Sequence, residues 1–184
     1  MWLDRLSGNK LNKSNSVQAT KSLNQPVRKT ILTKQRYGIS RIKRRIIKAS
    51  KKADACEKGY AMGLRANSKS DLLKAITANW VWILRDAKII DAPFLDEHFT
   101  QEELNEAGIY TQKIHVVRSI SAFAYGSATV KAYDSATVKA YDNSYTENCT
   151  EKEIFPLSDY AIVKDYYKHK IYIKKSQFEI IEVE

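Results

Sequence analysis

The sequence predicts an α+β chain: a basic N-terminal arm and helix, a small helical module, then a short β-solenoid with C-terminal capping strands. Three observations predict it. Residues 1–58 hold sixteen basic and three acidic side chains, a local charge of +13, whereas residues 59–184 hold fifteen and eighteen, a charge of −3. Two capped helix starts follow, at Ser68 and Thr100. Last, the octad Ser127-Ala-Thr-Val-Lys-Ala-Tyr-Asp134 is repeated at once and unchanged as Ser135 to Asp142.

The total of 184 residues bounds the chain to one modest domain with appendages, and the net charge of +10 is carried wholly by its first third. The expected division is an extended basic arm over 1–37, a basic amphipathic helix over 38–66, a helical module over 67–110, and octad solenoid with capping strands over 111–184. The arm is expected to be extended because Ser7 to Thr30 is rich in Asn, Ser, Gln and Lys, poor in large apolar residues, and contains Pro26. From Ile39 the small or apolar residues Ile39, Ile42, Ile46, Ala49, Ala53, Cys56 and Tyr60 recur at steps of three and four, the spacing of a one-sided helical seam.

The cations fall away from that seam. Arg41, Lys43, Arg44, Arg45, Lys48, Lys51 and Lys52, with Arg28, Lys29, Lys34 and Arg36 before them, are the candidate contacts to nucleic acid or another acidic partner. The physical reason is that each neutralised phosphate releases a condensed counterion, and a guanidinium can hold two phosphate oxygens at once. The same pattern suits an acidic protein groove, an anionic membrane surface or plain solvation, although the seam lacks the Trp, Phe and Leu of a membrane anchor.

In the helical module, Ser68 with Asp71 caps a helix expected over 69–88, with Leu72, Leu73, Ile76, Trp80, Ile83, Leu84 and Ala87 on its apolar face. Thr100 with Glu103 caps a second, short helix begun at Gln101 and stopped by Gly108, and Pro93 punctuates the turn between the two. Trp80, Trp82, Phe94 and Phe99 suit core packing better than a stacking platform for bases.

In the octads, Ala128, Val130 and Ala132, then Ala136, Val138 and Ala140, alternate with polar residues at a period of two. Such small inner residues leave room for a thin core, as in a narrow solenoid with rungs about 4.8 Å apart. The frame extends back through Ser119–Gly126 and, degraded, forward through Asn143–Thr150, with turns at the Gly-Ser and Asp-Ser junctions. Outside, Tyr125, Tyr133 and Tyr141 with Lys131 and Lys139 are expected to line up as ladders, a secondary candidate surface with a stabilising role as its simpler explanation. The runs beginning at Ala161 and Lys170 read as strands capping the open end.

Octads of this form resemble the short β-solenoid repeats of largely uncharacterised proteins from bacteriophages and Bacteroidetes-type bacteria, and Phe94 to Tyr110 is similar to the helical lead-in that precedes them. The resemblance covers roughly Ser68 to the C-terminus. It implies a fold and a mobile-element setting, and no shared activity.

No run of about 18 uncharged apolar residues exists, so no transmembrane span is expected, and the opening residues lack the pattern of a secretory signal. A cytoplasmic location is expected, in the host cell for a phage-encoded protein, or a place in the virion. Cys56 and Cys149 read as reduced thiols. His98, His115 and His169 are isolated, and Asp96, Glu97, Glu102 and Glu103 are explained by a capped helix start, so no catalytic residue, metal or cofactor is expected. The functional expectation is a non-enzymatic phage or mobile-element protein engaging nucleic acid or a nucleoprotein through its basic third, with inhibition of a host nucleic-acid-guided defence, of anti-CRISPR type, as a fitting role. The alternative is a virion-associated or structural assembly protein whose arm threads into a larger complex. The oligomeric state is left open.

Overall fold

The computed structural model describes residues 25–152 and 157–181, with side chains from residue 38 onward. Two compact units are present, Met1–Gly38 and Ile39–Glu184. The described part of the first is the opening of helix α1, which runs Gln25–Lys52. This corrects the expectation of an extended arm up to residue 37. Pro26 lies in the first turn of α1, where its missing N–H would have had no partner in any case, so it starts the helix instead of preventing it.

The helix also ends earlier than the seam suggested. Ile42, Ile46 and Ser50 are buried, but Ala53 and Cys56 are exposed. At the end of α1, Asp54 takes a positive φ of 57°, its N–H donates to Lys51 C=O, and the Ala55 N–H donates to Ser50 C=O. That is the Schellman arrangement, built on Asp instead of the usual Gly. The chain restarts as α2 (Glu57–Arg65), with Cys56 Sγ accepting from the Gly59 N–H at 3.4 Å.

Both capping boxes form as the sequence predicts. Ser68 and Asp71 open α3 (Lys69–Ala78), and Thr100 and Glu103 open α5 (Gln101–Glu106). Gly108 follows α5 at φ 74°, with Ser121 C=O where a Cβ would come within 2.8 Å. The single helix expected over 69–88 is instead broken. Asn79 turns its amide back onto Ala75 C=O at 2.8 Å, and the chain resumes as a π-helical turn, Val81–Asp86. Pro93 lies in the first turn of an unforeseen helix, α4 (Ala92–His98), capped by Asp91. Trp80, Phe94 and Phe99 are core residues, each at most 4% exposed.

The solenoid alternates two sheets. Strands β1 (Ile109–Tyr110), β3 (Ser121–Ala124) and β5 (Thr137–Ala140) form one sheet. Strands β2 (Ile114–Arg118), β4 (Thr129–Tyr133), β6 (Tyr145–Asn148), β7 (Ile162–Asp165) and β8 (Lys170–Tyr172) form the other, in that order. All pairings are parallel except β7 with β8. Partners in the repeat are 16 residues apart, Ser121 with Thr137 and Thr129 with Tyr145, so one octad is half a coil. Ala128, Val130, Ala132, Ala136, Val138 and Ala140 are fully buried between the sheets, and the corners fall at Gly126, Asp134 and Asp142, all at positive φ.

The last coil changes chemistry. Where the octads hold Val and Ala, β6 turns Thr146 and Asn148 inward. Asn148 Nδ2 donates to Asp165 Oδ2 at 3.1 Å, and its Oδ1 accepts from both Thr150 N–H and Oγ1 at 3.1 Å, a polar plug at the end of the apolar core. β8 closes this end as an antiparallel cap, in line with the sequence reading, but it is three residues long. Beyond it lies a short 3-10 turn, Lys175–Gln177, and the run through Ile181 joins no sheet.

Candidate nucleic-acid interface

Helix α1 is 28 residues long with eleven basic residues and no acidic one. Arg28, Lys29, Lys34 and Arg36 lie on its first part, and their side chains are outside the described residues. The other seven lie in the second unit, and the structure divides them into two groups.

At about 100° per residue, Arg41, Arg44, Arg45, Lys48, Lys51 and Lys52 fall within an arc of about 120°, opposite the buried Ile42, Ile46 and Ser50. All six are exposed. Among the described residues none of them forms an ion pair. Arg41 and Lys52 are about 16 Å apart along the axis, at about 1.5 Å per residue. One DNA strand sets a phosphate about every 3.4 Å along its axis, so this row matches a run of about five. Lys51 and Lys52 also occupy the last turn, where cations complement the negative end of the helix dipole.

Two of the seven cations have work within the fold. Lys43 points away from the row, and its Nζ donates to the C=O groups of Leu64 at 2.6 Å and Ala66 at 2.7 Å, closing the C-terminal end of α2. It is therefore a tie between helices and is removed from the candidate contacts. Arg45 lays its guanidinium 4.6 Å from the centre of the Phe94 ring. That contact orients the side chain without using its N–H donors, so Arg45 stays with the row as its most fixed member.

The expected ladder of tyrosines and lysines does not form. Successive octads land on opposite sheets, which separates Tyr133 and Lys131 from Tyr125, Tyr141 and Lys139. Tyr125 and Tyr141 are buried, with ring centres 5.8 and 6.4 Å from that of Trp80, and burial pushes both phenols above their ordinary pKa. Together with Phe123, 4.5 Å from Trp80, they join the solenoid to the helical module. Lys139 is exposed with its Nζ 5.6 Å from the Phe123 ring centre. On the other sheet, Lys131 pairs with Glu147 at 2.8 Å, and Arg118 both pairs with Asp134 at 3.2 Å and stacks 4.7 Å from the Tyr133 ring. Arg118 and Lys131 are thus neutralised in place, whereas the six cations of α1 have no ion pair among the described residues, so α1 is the stronger candidate for a polyanion.

Two carboxylates before and within α5 are engaged in the fold. Asp96 Oδ1 accepts from Thr111 Oγ1 at 2.5 Å and from Gln101 Nε2 at 2.9 Å, and Glu103 pairs with Lys69 at 2.8 Å besides its capping role. Among the described residues no group of three or more His, Cys, Asp or Glu is placed to hold a metal ion, and no helix is long and apolar enough to cross a membrane. Cys56 and Cys149 are free thiols.

Comparison with protein-family models, with curated proteins and with solved structures gives no match.

Proposed function

We propose that this chain is a non-enzymatic binding protein that engages nucleic acid or a nucleoprotein through α1, in a phage or mobile-element setting where blocking a host nucleic-acid-guided defence is a fitting role. The observation that carries the reading is the row of six exposed cations, Arg41 to Lys52, with no acidic partner among the described residues, on a helix whose other face is locked into the core. A solvated helix of a near-neutral domain ordinarily mixes both signs of charge, since opposite charges at i,i+4 stabilise it and like charges oppose it. Concentrating one sign on one face costs helix stability and offers a polyanion many contacts.

The test is a salt titration of binding to duplex DNA and to single-stranded and structured RNA, with the full chain and with an Arg41→Ala/Arg44→Ala/Lys48→Ala variant. On B-form DNA the parent should lose affinity with a log–log salt slope of about −5 for six contacts, and the variant slope should shrink by about 2.7. Equal slopes and affinities for the two proteins would remove α1 from the interface. Binding too weak to measure in both, with retention of the chain in an assembled particle, would favour the assembly reading.

A further inference from the structure

Behind the cationic row, within the second unit, a cavity of about 320 Å³ lies between α1, α2, α3 and the π-helical turn. Its walls are mainly apolar, with Ile46 from α1, Leu72 and Ile76 from α3, and Trp82 and Ile83 from the π-helical turn. Asp54 and Cys56 on its rim are exposed, so the space is open to solvent on that side. A cavity of about 150 Å³ is enough to hold benzene, so this one has room for a molecule of about two fused rings.

Two independent features point to a ligand. Ser50 lines the cavity, is 5% exposed, and its hydroxyl has no hydrogen-bond partner among the described residues, not even the C=O one turn back that helical serines commonly use. Asn79, also on the wall, spends its amide N–H on Ala75 C=O, and its Oδ1 accepts from no donor among the described residues. Both atoms face the open space of the pocket, where a ligand carrying an O–H or N–H would replace water as their partner. The second feature is the π-helical turn itself, a rare geometry that recurs at functional sites, which here supplies Trp82 and Ile83 to the wall.

We infer that this cavity is a binding site for a small uncharged aromatic molecule of about two fused rings, bearing one hydrogen-bond donor that meets Ser50 and Asn79. Charge sets the class: the lining includes no Lys or Arg, and its one carboxylate, Asp54, is exposed, so an anion is disfavoured. The inference is independent of the reading of α1 as a nucleic-acid interface.

The probes are indole and its isostere indene, which lacks the N–H, with 2-naphthoate as the anionic control, titrated calorimetrically into the full chain. Indole should bind saturably at one equivalent with a Kd between about 0.1 and 1 mM, the range for a ligand of so few atoms. Indene should bind about five-fold more weakly, and 2-naphthoate should not bind. Ser50→Ala should weaken indole about five-fold while leaving indene unchanged, and Ala75→Leu, which grows a side chain into the cavity, should abolish both. If Ala75→Leu does not fold, Ser50→Ala carries the test. The inference is overturned if indole shows no saturable binding, which would leave the space to a partner's side chain, or if Ser50→Ala binds indole and indene as the parent does.

Discussion

The corners of the solenoid show how much one residue decides. Gly126, Asp134 and Asp142 occupy equivalent corner positions at φ between 57° and 60°. A short polar side chain tolerates this left-handed conformation better than most, which accounts for Asp at two of them. Gly126 has no substitute, since a Cβ there would come within 2.5 Å of Thr111 C=O. Asp142 carries a cost of its own. Burial, and then the charge of nearby Asp159, push its carboxyl above the ordinary carboxylate range, and Asp159 Oδ2 accepts its N–H at 3.4 Å. A carboxyl whose pKa is raised by folding contributes stability in full below the unfolded value of about 3.9 and loses it as pH rises through the folded value. At neutral pH the charge at Asp142 therefore opposes folding. Asp142→Asn keeps a residue suited to positive φ and removes the charge, so it should be more stable than the parent at pH 7 by about 0.5 kcal/mol. That gap should close as pH falls toward 3. Urea unfolding at the two pH values measures both differences, and a gap that stays constant with pH would refute the assignment.

At the scale of the element, α1 combines two jobs that a helical wheel does not separate. Lys43 and Arg41 are both basic and two positions apart, yet one ties α2 to α1 and the other faces solvent. Lys43→Ala should cost about 1 kcal/mol of stability by releasing the last carbonyls of α2, with a smaller effect on nucleic-acid affinity than any member of the row. Arg41→Ala should change stability by less than about 0.5 kcal/mol, as exposed substitutions do, and should act on affinity. Thermal unfolding of the two variants beside their binding isotherms checks the split, which fails if the two behave alike. The periodicity in the sequence revealed the seam through Ile42 and Ile46 and the opposite cationic face, because both follow from a spacing of 3.6. It did not reveal where α1 stops, because an Asp at a Schellman position has no signature comparable to Gly. Nor did it reveal the cavity, which depends on how four elements meet. A truncation that removes α1 would take Ile42 and Ile46 out of the core, so charge substitution isolates the interface more cleanly than deletion does.

For the whole molecule, the repeat was legible as a solenoid because a two-residue period of Ala and Val that is wholly buried leaves few other folds open. The sheet to which each octad belongs was not legible, since a period of eight is compatible with either one or two strands per coil. The register settles it at two, and the consequence reaches past the tyrosine positions. Tyr125 and Tyr141 meet Trp80 because they stand a full coil apart, while Tyr133, half a coil away, lies on the opposite sheet. The chain can therefore be lengthened only in units of two octads. Inserting a second copy of residues 127–142 after Asp142 adds one coil, keeps every later strand on its own sheet, and passes the polar Asn148–Asp165 plug on to the new end of the core. Neighbour-to-neighbour stacking of repeats predicts a cooperative fold at least as stable as the parent. Inserting only 135–142 transfers β6, β7 and β8 to the sheet covered by the helical module and sets their cations, the half-buried Lys164 and the exposed Lys170 among them, on the wrong face. That variant should lose cooperative unfolding or fall well below the parent in thermal midpoint. Circular dichroism melts of the two insertions decide the matter, and equal tolerance of 8 and 16 residues would mean that the two-sheet coil is not what holds the repeats in register.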